Sequence, residues 1–375
     1  MELNPDELRA RLTPLWEENF HSLGELGAAV SVWQHCEPVI ELHGGFRDAH
    51  REKSWTDDTI VLFWSATKGL GAACLLHVLQ EEGVALERRV AEFWPEFAGG
   101  GKGDITIAQL MSHQAGLSAL DERVDIQDYA SVIHALERQS PLWPPGTAHG
   151  YHARTFGFLL DELVRRLTSA SIGAYWRRVF AEAMSLDIWI GLPEVENERI
   201  ATIYAAKAGK PPQPEEFYRE LATPGTLVRK TFSSPGGLQA VSAMNQPANR
   251  ALSLVSLGGI GSASSLAKFY AMLANGGDGY FSEETLRQMR TTLTASVDRI
   301  FQIPTAFSAG FMQNALGAPQ IFGPSASAFG HPGAGGSNAF ADPENGISFA
   351  YVMNQMEQSV LPNEKSLRLV RAIYQ

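Results

Sequence analysis

The sequence predicts an α/β (α+β) fold in which one antiparallel sheet is built from both ends of the chain, with helices between them. Short β-rich runs occur near the start, at 27–33 and 39–42, and strand patterns return after Phe301. Between Val84 and about Met289 the apolar residues recur mostly at helical spacing. We therefore expect a sheet flanked by helices and a mostly helical insertion.

The same patterns predict two domains. Residues 1–83 and 295–375 would form the α/β domain, and residues 84–294 would form the mostly helical domain. We expect the active site at the interface between them.

Composition and charge exclude several classes of protein. The chain has 375 residues, 45% of them hydrophobic, and a formal charge of 30 − 41 = −11 without basic clusters, so we expect no nucleic-acid partner. The acidic start lacks the pattern of a secretion signal, and no apolar run reaches membrane-spanning length, so we expect no membrane partner. The two cysteines fit reduced thiols. These features predict a cytoplasmic protein and leave its oligomeric state open.

The first elements have clear local signals. Asn4, Pro5 and Glu7 match a helix cap, a first-turn proline and a capping-box glutamate, which predicts a helix from Pro5 to His21. The runs 27–33 and 39–42 flank a short polar turn and predict a hairpin.

The middle of the chain predicts helices with capping signals. Thr106 and Gln109 form a capping box before a short helix that stops near His113. Further helices are expected from Asp125 to Leu136, around Phe156 to Leu167, and from Ile172 to Met184 with Ser171 as the cap.

The last third contains one segment without a clear signal and one with a strong signal. Prolines and glycines break every periodic run in 211–247, which predicts either a solvated loop or a flap over a substrate pocket. Runs at 336–341 and 347–353 flank a turn and predict a hairpin, and a closing helix is expected over 361–374.

The strongest chemical signal is Ser65-Ala66-Thr67-Lys68, which follows an apolar run and opens an apolar helical pattern that extends to Gly83. One helical turn separates Ser65 from Lys68, so the hydroxyl and the amine should share a helix face. A lysine acts as a base near neutral pH only if its pKa falls by roughly three units, and burial is the effect large enough to do this. The pattern predicts an activated serine in a covered site.

The S-x-x-K pattern also occurs at Ser265 and Lys268. This serine stands just before a second apolar helical run, where a serine is the expected N-cap. We interpret Ser265 as a cap and Ser65 as the nucleophile.

Four motifs along the chain resemble those of the serine β-lactamase and penicillin-binding protein superfamily, and most closely those of its esterase branch, the family VIII carboxylesterases. The similarity covers roughly residues 28–353. The motifs are Ser65-Ala66-Thr67-Lys68, Leu110-Met111-Ser112-His113-Gln114-Ala115-Gly116-Leu117, Pro144-Pro145-Gly146-Thr147-Ala148-His149-Gly150-Tyr151 and Gly330-His331-Pro332-Gly333-Ala334-Gly335-Gly336.

The resemblance implies a β-lactamase/transpeptidase-like fold and a role for each matching residue. Ser65 would attack an acyl carbonyl, and Lys68 would share its proton. Tyr151 would act as a base and then protonate the leaving group, which requires a nearby ammonium to keep the phenol partly ionised. The backbone N–H groups of Ser65 and Ala334 would form the oxyanion hole.

The departures from the family pattern carry information about the substrate. His331 replaces the lysine that helps β-lactamases and peptidases hold a substrate carboxylate, and Pro332 removes a hydroxyl beside it. Ala153 stands where the lactamase tyrosine motif carries asparagine. These changes favour small-molecule neutral esters.

We further assign substrate contacts to four residues. These are His331, Gly333, Trp64 and His149.

No cofactor or metal is expected. The chain has no P-loop, and no dinucleotide fingerprint in a suitable context. His149 and His152 lie three residues apart, but no carboxylate or cysteine spacing accompanies them, so loop histidines explain the pair.

Several functions share this machinery. The first hypothesis is a serine carboxylesterase for small to medium acyl esters, with weak β-lactamase activity allowed. A β-lactamase or D-peptidase, and an acyltransferase with an alcohol acceptor, would use the same acyl-enzyme. A binding scaffold with an inactive site is the non-enzyme alternative.

Overall fold

The computed structural model describes residues 1–207, 209 and 213–375. The α-helices in these residues are α1 Pro5–His21, α2 Thr67–Glu81, α3 Ile107–Met111, α4 Tyr129–Arg138, α5 Thr155–Thr168, α6 Ile172–Trp176, α7 Glu215–Ala222, α8 Leu227–Ser233, α9 Pro247–Arg250, α10 Ala263–Ala274, α11 Glu283–Arg290 and α12 Glu364–Ile373. The strands are β1 Gly27–Gln34, β2 Glu37–Gly45, β3 Val61–Leu62, β4 Ile188–Ile190, β5 Gly259–Gly261, β6 Thr294–Val297, β7 Pro304–Phe307, β8 Met312–Gln313, β9 Phe329–Pro332, β10 Asn338–Asp342 and β11 Ile347–Met353.

One antiparallel sheet joins the two ends of the chain. Among the described residues it has eight strands in the order β2-β1-β11-β10-β9-β8-β7-β6. The two ends meet where β1 pairs with β11, with Val30 opposite Tyr351. A second small sheet, β3-β5-β4, was not expected from the sequence, because its strands are only two or three residues long.

Both faces of the central strands β1, β10 and β11 are buried, and the side chains of each of these strands alternate between the faces. Val30 and Tyr351 belong to a core shared with α1 and α12, whereas Ala350 and Val352 belong to the core on the opposite face. Helix α10 packs on that opposite face against β1, β10 and β11. Because successive strand residues point to opposite faces, one sheet supports two cores.

Helix α2 lies inside the core on the same side of the sheet as α10, and the candidate nucleophile Ser65 lies just before it. Every residue from Thr67 to Leu79 is buried. Its glycines allow this burial: a Cβ on Gly69 would lie 2.2 Å from the hydroxyl of Tyr270, and a Cβ on Gly71 would lie 2.3 Å from Val255. The helix is therefore held closely on several sides.

The local helix signals are confirmed in most places. Helix α1 begins and ends where predicted, and the Asn4 side chain accepts hydrogen bonds from the N–H groups of Asp6 and Glu7. Thr106 and Gln109 form the expected capping box. Ser171 caps α6, although regular α-helix ends at Trp176 and a π-helical turn follows.

Other boundaries were wrong. The helix predicted from Asp125 begins at Tyr129, because Asp128 provides the cap. The predicted closing helix begins only at Glu364, after its cap Asn363. Strand structure returns at Thr294, before the predicted position.

The second S-x-x-K serine is not the helix cap that we predicted. Ser262 caps α10, and its hydroxyl accepts the N–H of Ser265 at 3.2 Å. The Ser265 hydroxyl accepts the N–H of Asp187 at 2.9 Å, and Lys268 Nζ donates to the carbonyl oxygen of Met184. This pair is therefore engaged in holding α10 to the segment before β4.

The segment that lacked a clear signal contains helices where the structure describes it. Pro211 and Pro212 lie outside the described residues, whereas α7 and α8 follow. Phe217 of α7 is buried, and its ring contacts Phe301 with centroids 5.8 Å apart. Phe301 in turn stacks on Tyr151, so α7 is linked to the candidate site through two ring contacts.

In the part of the chain that the structure describes, no helix combines the length and the apolar character needed to cross a bilayer.

Candidate active site

Ser65 and Lys68 lie side by side at the start of α2. Lys68 is fully buried and its Nζ lies 3.2 Å from Ser65 Oγ, while the Ser65 residue is half-buried. The sequence placed both in the first α-helical turn, but Ser65 lies in a 3-10 turn over Trp64–Ala66 and α2 begins at Thr67. The tighter turn still brings the hydroxyl and the amine together.

The backbone bends sharply just before the nucleophile. Trp64 has a φ of 50°, a left-handed conformation that is strained for a large side chain. Thr67 stabilises the bend, because its hydroxyl donates to the Trp64 carbonyl and accepts the N–H of Gly259 at 2.8 Å. The Trp64 side chain is half-buried beside Ser65, a position compatible with its predicted substrate contact.

The surroundings of Lys68 favour a neutral amine. Its Nζ donates to the backbone carbonyl oxygens of Ala153 at 2.9 Å and Ser256 at 2.8 Å. Burial holds the pKa of Lys68 well below its ordinary value. With Ser65 Oγ, Nζ has three oxygen neighbours: an ammonium can donate to all three, whereas a neutral amine donates to the two carbonyls and accepts the Ser65 proton. Lys68 Nζ therefore lies within reach of the Ser65 proton.

Tyr151 completes the cluster from a distant loop. It is buried, its ring stacks on Phe301 with centroids 4.7 Å apart, and Lys68 Nζ lies 4.9 Å from the ring centroid. The Ser65 side chain is close enough to the phenol to lower its pKa, although burial raises that pKa more. The hydroxyl, the amine and the phenol, from three parts of the chain, thus meet in one place.

The expected ionisation of the phenol is not supported. Burial raises the pKa of Tyr151 above its ordinary value, and the nearby Ser65 side chain offsets only part of this effect. Burial also lowers the pKa of Lys68, which disfavours the ammonium that would stabilise a phenolate. Both shifts favour a neutral amine beside a neutral phenol.

The turn after β9 lies against the nucleophile segment. A Cβ on Gly333 would lie 2.2 Å from the carbonyl oxygen of Phe63, so only glycine permits this approach. Ser65 and Ala334 each lie in the first turn of a short 3-10 helix, where backbone N–H groups have no intrahelical acceptor. This arrangement is compatible with the predicted oxyanion hole.

The close approach at Gly333 leads to a prediction. We expect Gly333→Ala to lower kcat by on the order of 10²–10³, because the clash with Phe63 must displace the Ala334 N–H. Initial rates on a p-nitrophenyl ester measure this effect. Gly103→Ala is the control, since a Cβ there would meet only Ala98 at 3.8 Å. A kcat unchanged in folded Gly333→Ala protein would show that the turn supplies no essential donor.

His331 lies in the cluster as a neutral ring. It is buried, and its Nδ1 lies 2.8 Å from the carbonyl oxygen of Pro332, so Nδ1 carries the proton and donates it. Burial is the main effect that lowers the pKa of His331 to about 3, and a protonated Lys68 would lower it further. The ring is tilted against Tyr151 with centroids 5.9 Å apart. At neutral pH this residue offers no positive charge to a substrate.

His149 has a different place from the predicted substrate contact. It is fully buried, and its two ring nitrogens lie 2.9 Å from the hydroxyl of Thr294 and 2.8 Å from that of Thr305. Burial lowers the pKa of His149 to about 4. Both ring nitrogens are engaged, which argues against substrate contact. This histidine instead supports the loop that carries Tyr151, called the tyrosine loop below. His152 is also engaged, donating to Gly150 and accepting from Leu117.

Asp298 is a supporting residue that sequence reasoning missed. Its Oδ1 accepts the N–H of Tyr151 at 3.2 Å and those of Ile300 and Phe301. Burial raises the pKa of Asp298 to about 6, although these hydrogen bonds favour the carboxylate. An aspartate that bonds the N–H groups two and three residues on is a local turn signal. The contact with Tyr151, far away in the chain, leaves no trace in sequence.

The sequence is similar to those of known proteins over most of its length. The beta-lactamase family model matches residues 9–372. The esterase/beta-lactamase LipL of Mycobacterium tuberculosis is 30% identical over 348 residues, which cover 88% of this chain and 77% of LipL.

Two solved structures are similar over nearly their whole length. A penicillin-binding protein homolog from Caulobacter crescentus is 34% identical with a TM-score of 0.87, covering 100% of this chain and 98% of that one. A family VIII carboxylesterase is 34% identical with a TM-score of 0.85, covering 98% and 97% of the two chains.

The chain therefore belongs to the beta-lactamase family, and its fold is the β-lactamase/transpeptidase-like fold. Within that family it is a serine hydrolase with esterase-type and penicillin-binding-type relatives. The resemblance inferred from the four motifs is confirmed.

Proposed function

We propose that this protein is a serine carboxylesterase that hydrolyses small to medium acyl esters through an acyl-enzyme on Ser65. The observation that carries the proposal is the pairing of Ser65 Oγ at 3.2 Å with the buried Lys68 amine, whose pKa is lowered by burial. The neutral His331 beside them favours a substrate without a carboxylate.

Acylation would follow from this geometry. Lys68 takes the proton of Ser65 as Oγ forms a bond to the ester carbonyl carbon, and the N–H groups of Ser65 and Ala334 stabilise the resulting oxyanion. When the tetrahedral intermediate collapses, the bond between that carbon and the alkoxy oxygen breaks. Tyr151 gives its proton to the leaving alkoxide and regains one from the Lys68 ammonium. The products are the acyl-enzyme and the free alcohol.

Deacylation would use the same groups, with water as the nucleophile that attacks the acyl-enzyme. The neutral Lys68 amine takes a proton from water, whose oxygen attacks the acyl carbon. The bond from that carbon to Ser65 Oγ then breaks, and the Lys68 ammonium gives its extra proton to Oγ. The carboxylic acid leaves, and the resting enzyme returns.

The charges around the site favour esters over β-lactams and D-peptides. Those substrates carry a carboxylate near the reacting bond, and a family lysine helps to hold it. His331 occupies that place without a charge, because the pKa of this histidine is about 3, and Pro332 adds no hydroxyl. Ala153 is occupied through its carbonyl with Lys68 and has no side-chain amide.

The relatives support the same proposal. The name of LipL includes both esterase and beta-lactamase, and one close structural neighbour is a family VIII carboxylesterase. Their names are compatible with an ester-hydrolysing chain that retains weak β-lactamase activity.

The proposal is tested with a panel of p-nitrophenyl esters of increasing acyl length, nitrocefin and D-alanyl-D-alanine. We expect kcat/KM for the best ester to exceed that for nitrocefin by at least about 10², because His331 cannot pair with a carboxylate. A larger kcat/KM for nitrocefin or the dipeptide would reassign the protein to that activity. Product analysis with added alcohols would identify acyl transfer.

We also propose that the chain divides into an α/β domain over 1–83 and 295–375 and a helical domain over 84–294. The sheet that pairs β1 with β11 supports this division.

We also propose a cytoplasmic location, which the free thiols of Cys36 and Cys74 support.

A further inference from the structure

A cavity of about 460 Å³ lies beside the proposed active site and has no role in the mechanism above. Its volume falls in the usual range for small-molecule sites, about 300–1,000 Å³. It lies between the β7–β8 hairpin, the loop after β8 and the start of α12. The apolar part of its wall is formed by Ile303, Pro304, Met312, Ile321, Leu361 and Leu367.

Polar side chains in the wall are already bonded within the protein. Gln313 donates to the carbonyl oxygen of Arg290 at 2.7 Å and accepts from Thr292 at 2.9 Å. The hydroxyl of Thr305 lies 2.8 Å from His149 Nε2. A polar ligand would have to break such bonds, so the wall favours an apolar occupant.

One side of the cavity contacts the turn after β9 that contains Ala334, called the oxyanion turn below. Ser359 accepts the N–H of Gly335 through its carbonyl oxygen at 2.6 Å, and Asn363 Nδ2 donates to the carbonyl oxygen of Gly335 at 3.3 Å. Gly335 directly follows Ala334, whose N–H is the proposed oxyanion donor. Two wall residues therefore contact the backbone next to the reacting carbonyl.

Another side supports the tyrosine loop. The Thr305 hydroxyl donates to Asp298 Oδ2 at 3.2 Å, and Asp298 Oδ1 accepts the N–H of Tyr151. The cavity thus lies between the supports of the oxyanion turn and those of the proton donor. Its wall residues therefore contact the segments on both sides of the site, through Gly335 on one side and Asp298 on the other.

We propose that this cavity binds the hydrocarbon part of the ester substrate, an aliphatic chain or ring without charged groups. The inference rests on the proposed esterase function and specifies its substrate class. Each methylene that enters the cavity leaves water and should raise kcat/KM about fourfold until the space is full.

The test compares Leu361→Trp, which fills the cavity, with Leu316→Trp as the matched control. Leu361 is half-buried in the cavity wall, whereas Leu316 is 99% exposed. Two substrate series are used: p-nitrophenyl esters of increasing acyl length, and acetate esters of increasing alcohol length.

In one of the two series, we expect wild type and Leu316→Trp to gain about fourfold per methylene and Leu361→Trp to lose that gain. Loss in the p-nitrophenyl series assigns the cavity to the acyl chain, and loss in the acetate series assigns it to the alcohol. Unchanged chain-length dependence in both series would overturn the inference. Should Leu361→Trp fail to fold, Leu361→Ala replaces it and should move the optimum to longer chains.

A binding measurement separates this inference from the proposed function. Wild type and Leu361→Trp are titrated calorimetrically with n-butanol, n-hexanol and n-octanol. Affinity that rises about fourfold per methylene only in wild type supports the cavity site even if no ester is hydrolysed. Ester hydrolysis with no such rise in alcohol affinity and no chain-length effect would leave the esterase function standing and reject the cavity site.

Discussion

Replacing Ser65 with alanine should lower kcat/KM for a p-nitrophenyl acyl ester by a factor on the order of 10⁴ or more. The variant lacks the oxygen that forms the acyl-enzyme, whereas Lys68 and the oxyanion turn remain. The change removes one half-buried hydroxyl, so we expect the melting temperature to stay close to that of wild type. Steady-state kinetics and a thermal melt measure both quantities.

The chain provides a matched control for this substitution. Ser265 belongs to the second S-x-x-K sequence, but its hydroxyl accepts the N–H of Asp187, in the segment before β4. Ser265→Ala should retain activity, and a fluorophosphonate probe should label it but not Ser65→Ala. Full ester turnover by Ser65→Ala would remove Ser65 from the mechanism.

Replacing Lys68 with methionine should lower kcat by on the order of 10²–10⁴, because the base that takes the proton of Ser65 is lost. Methionine keeps most of the apolar volume of the side chain in this packed interior. Lys268→Met is the matched control, since Lys268 bonds the carbonyl of Met184 and should not affect turnover. A kcat for Lys68→Met equal to that of wild type would assign the base role elsewhere.

The same variant tests whether Lys68 is neutral in the folded protein. Burial lowers the folded-state pKa of Lys68, while in the unfolded chain it returns to about 10.4. Between these two values the unfolded chain binds the extra proton, so this residue makes the free energy of unfolding rise with pH, by up to about 1.4 kcal/mol per pH unit. Below the folded pKa this slope disappears.

Denaturant titrations at several pH values below 10.5 measure that slope. Wild type should gain stability relative to Lys68→Met as the pH rises through the window. Parallel curves for the two proteins would mean that Lys68 stays protonated when folded, and Tyr151 would then become the better candidate for the base.

Much of the fold was readable because its signals are local. Helix α1 begins and ends where Asn4 and its neighbours indicated, and the strands of the last hairpin were expected from their apolar runs and the turn between them. Local signals could not identify the cap of α10, because either Ser262 or Ser265 suits the start of that helix. The structure shows that Ser262 is the cap. The apolar run before Ser65 indicated a strand, and β3 lies there. The short strands β4 and β5 left too little pattern to recognise.

The reactive side chains of the site could also be identified from the sequence. The motif spacing identified the family, and Ser65, Lys68 and Tyr151 do meet in one place. Residue identity and short-range spacing are written in the sequence, so nucleophile, amine and phenol could be named without coordinates.

The protonation states and the supporting contacts depended on the packed molecule. Burial lowers the pKa of Lys68, and its amine is bonded to the carbonyls of Ala153 and Ser256, contacts that no side-chain pattern can reveal. His149 faces two threonines instead of a substrate, and Asp298 holds the Tyr151 loop. Burial and backbone contacts arise only when distant segments pack together, and they set the charge of each group in the site.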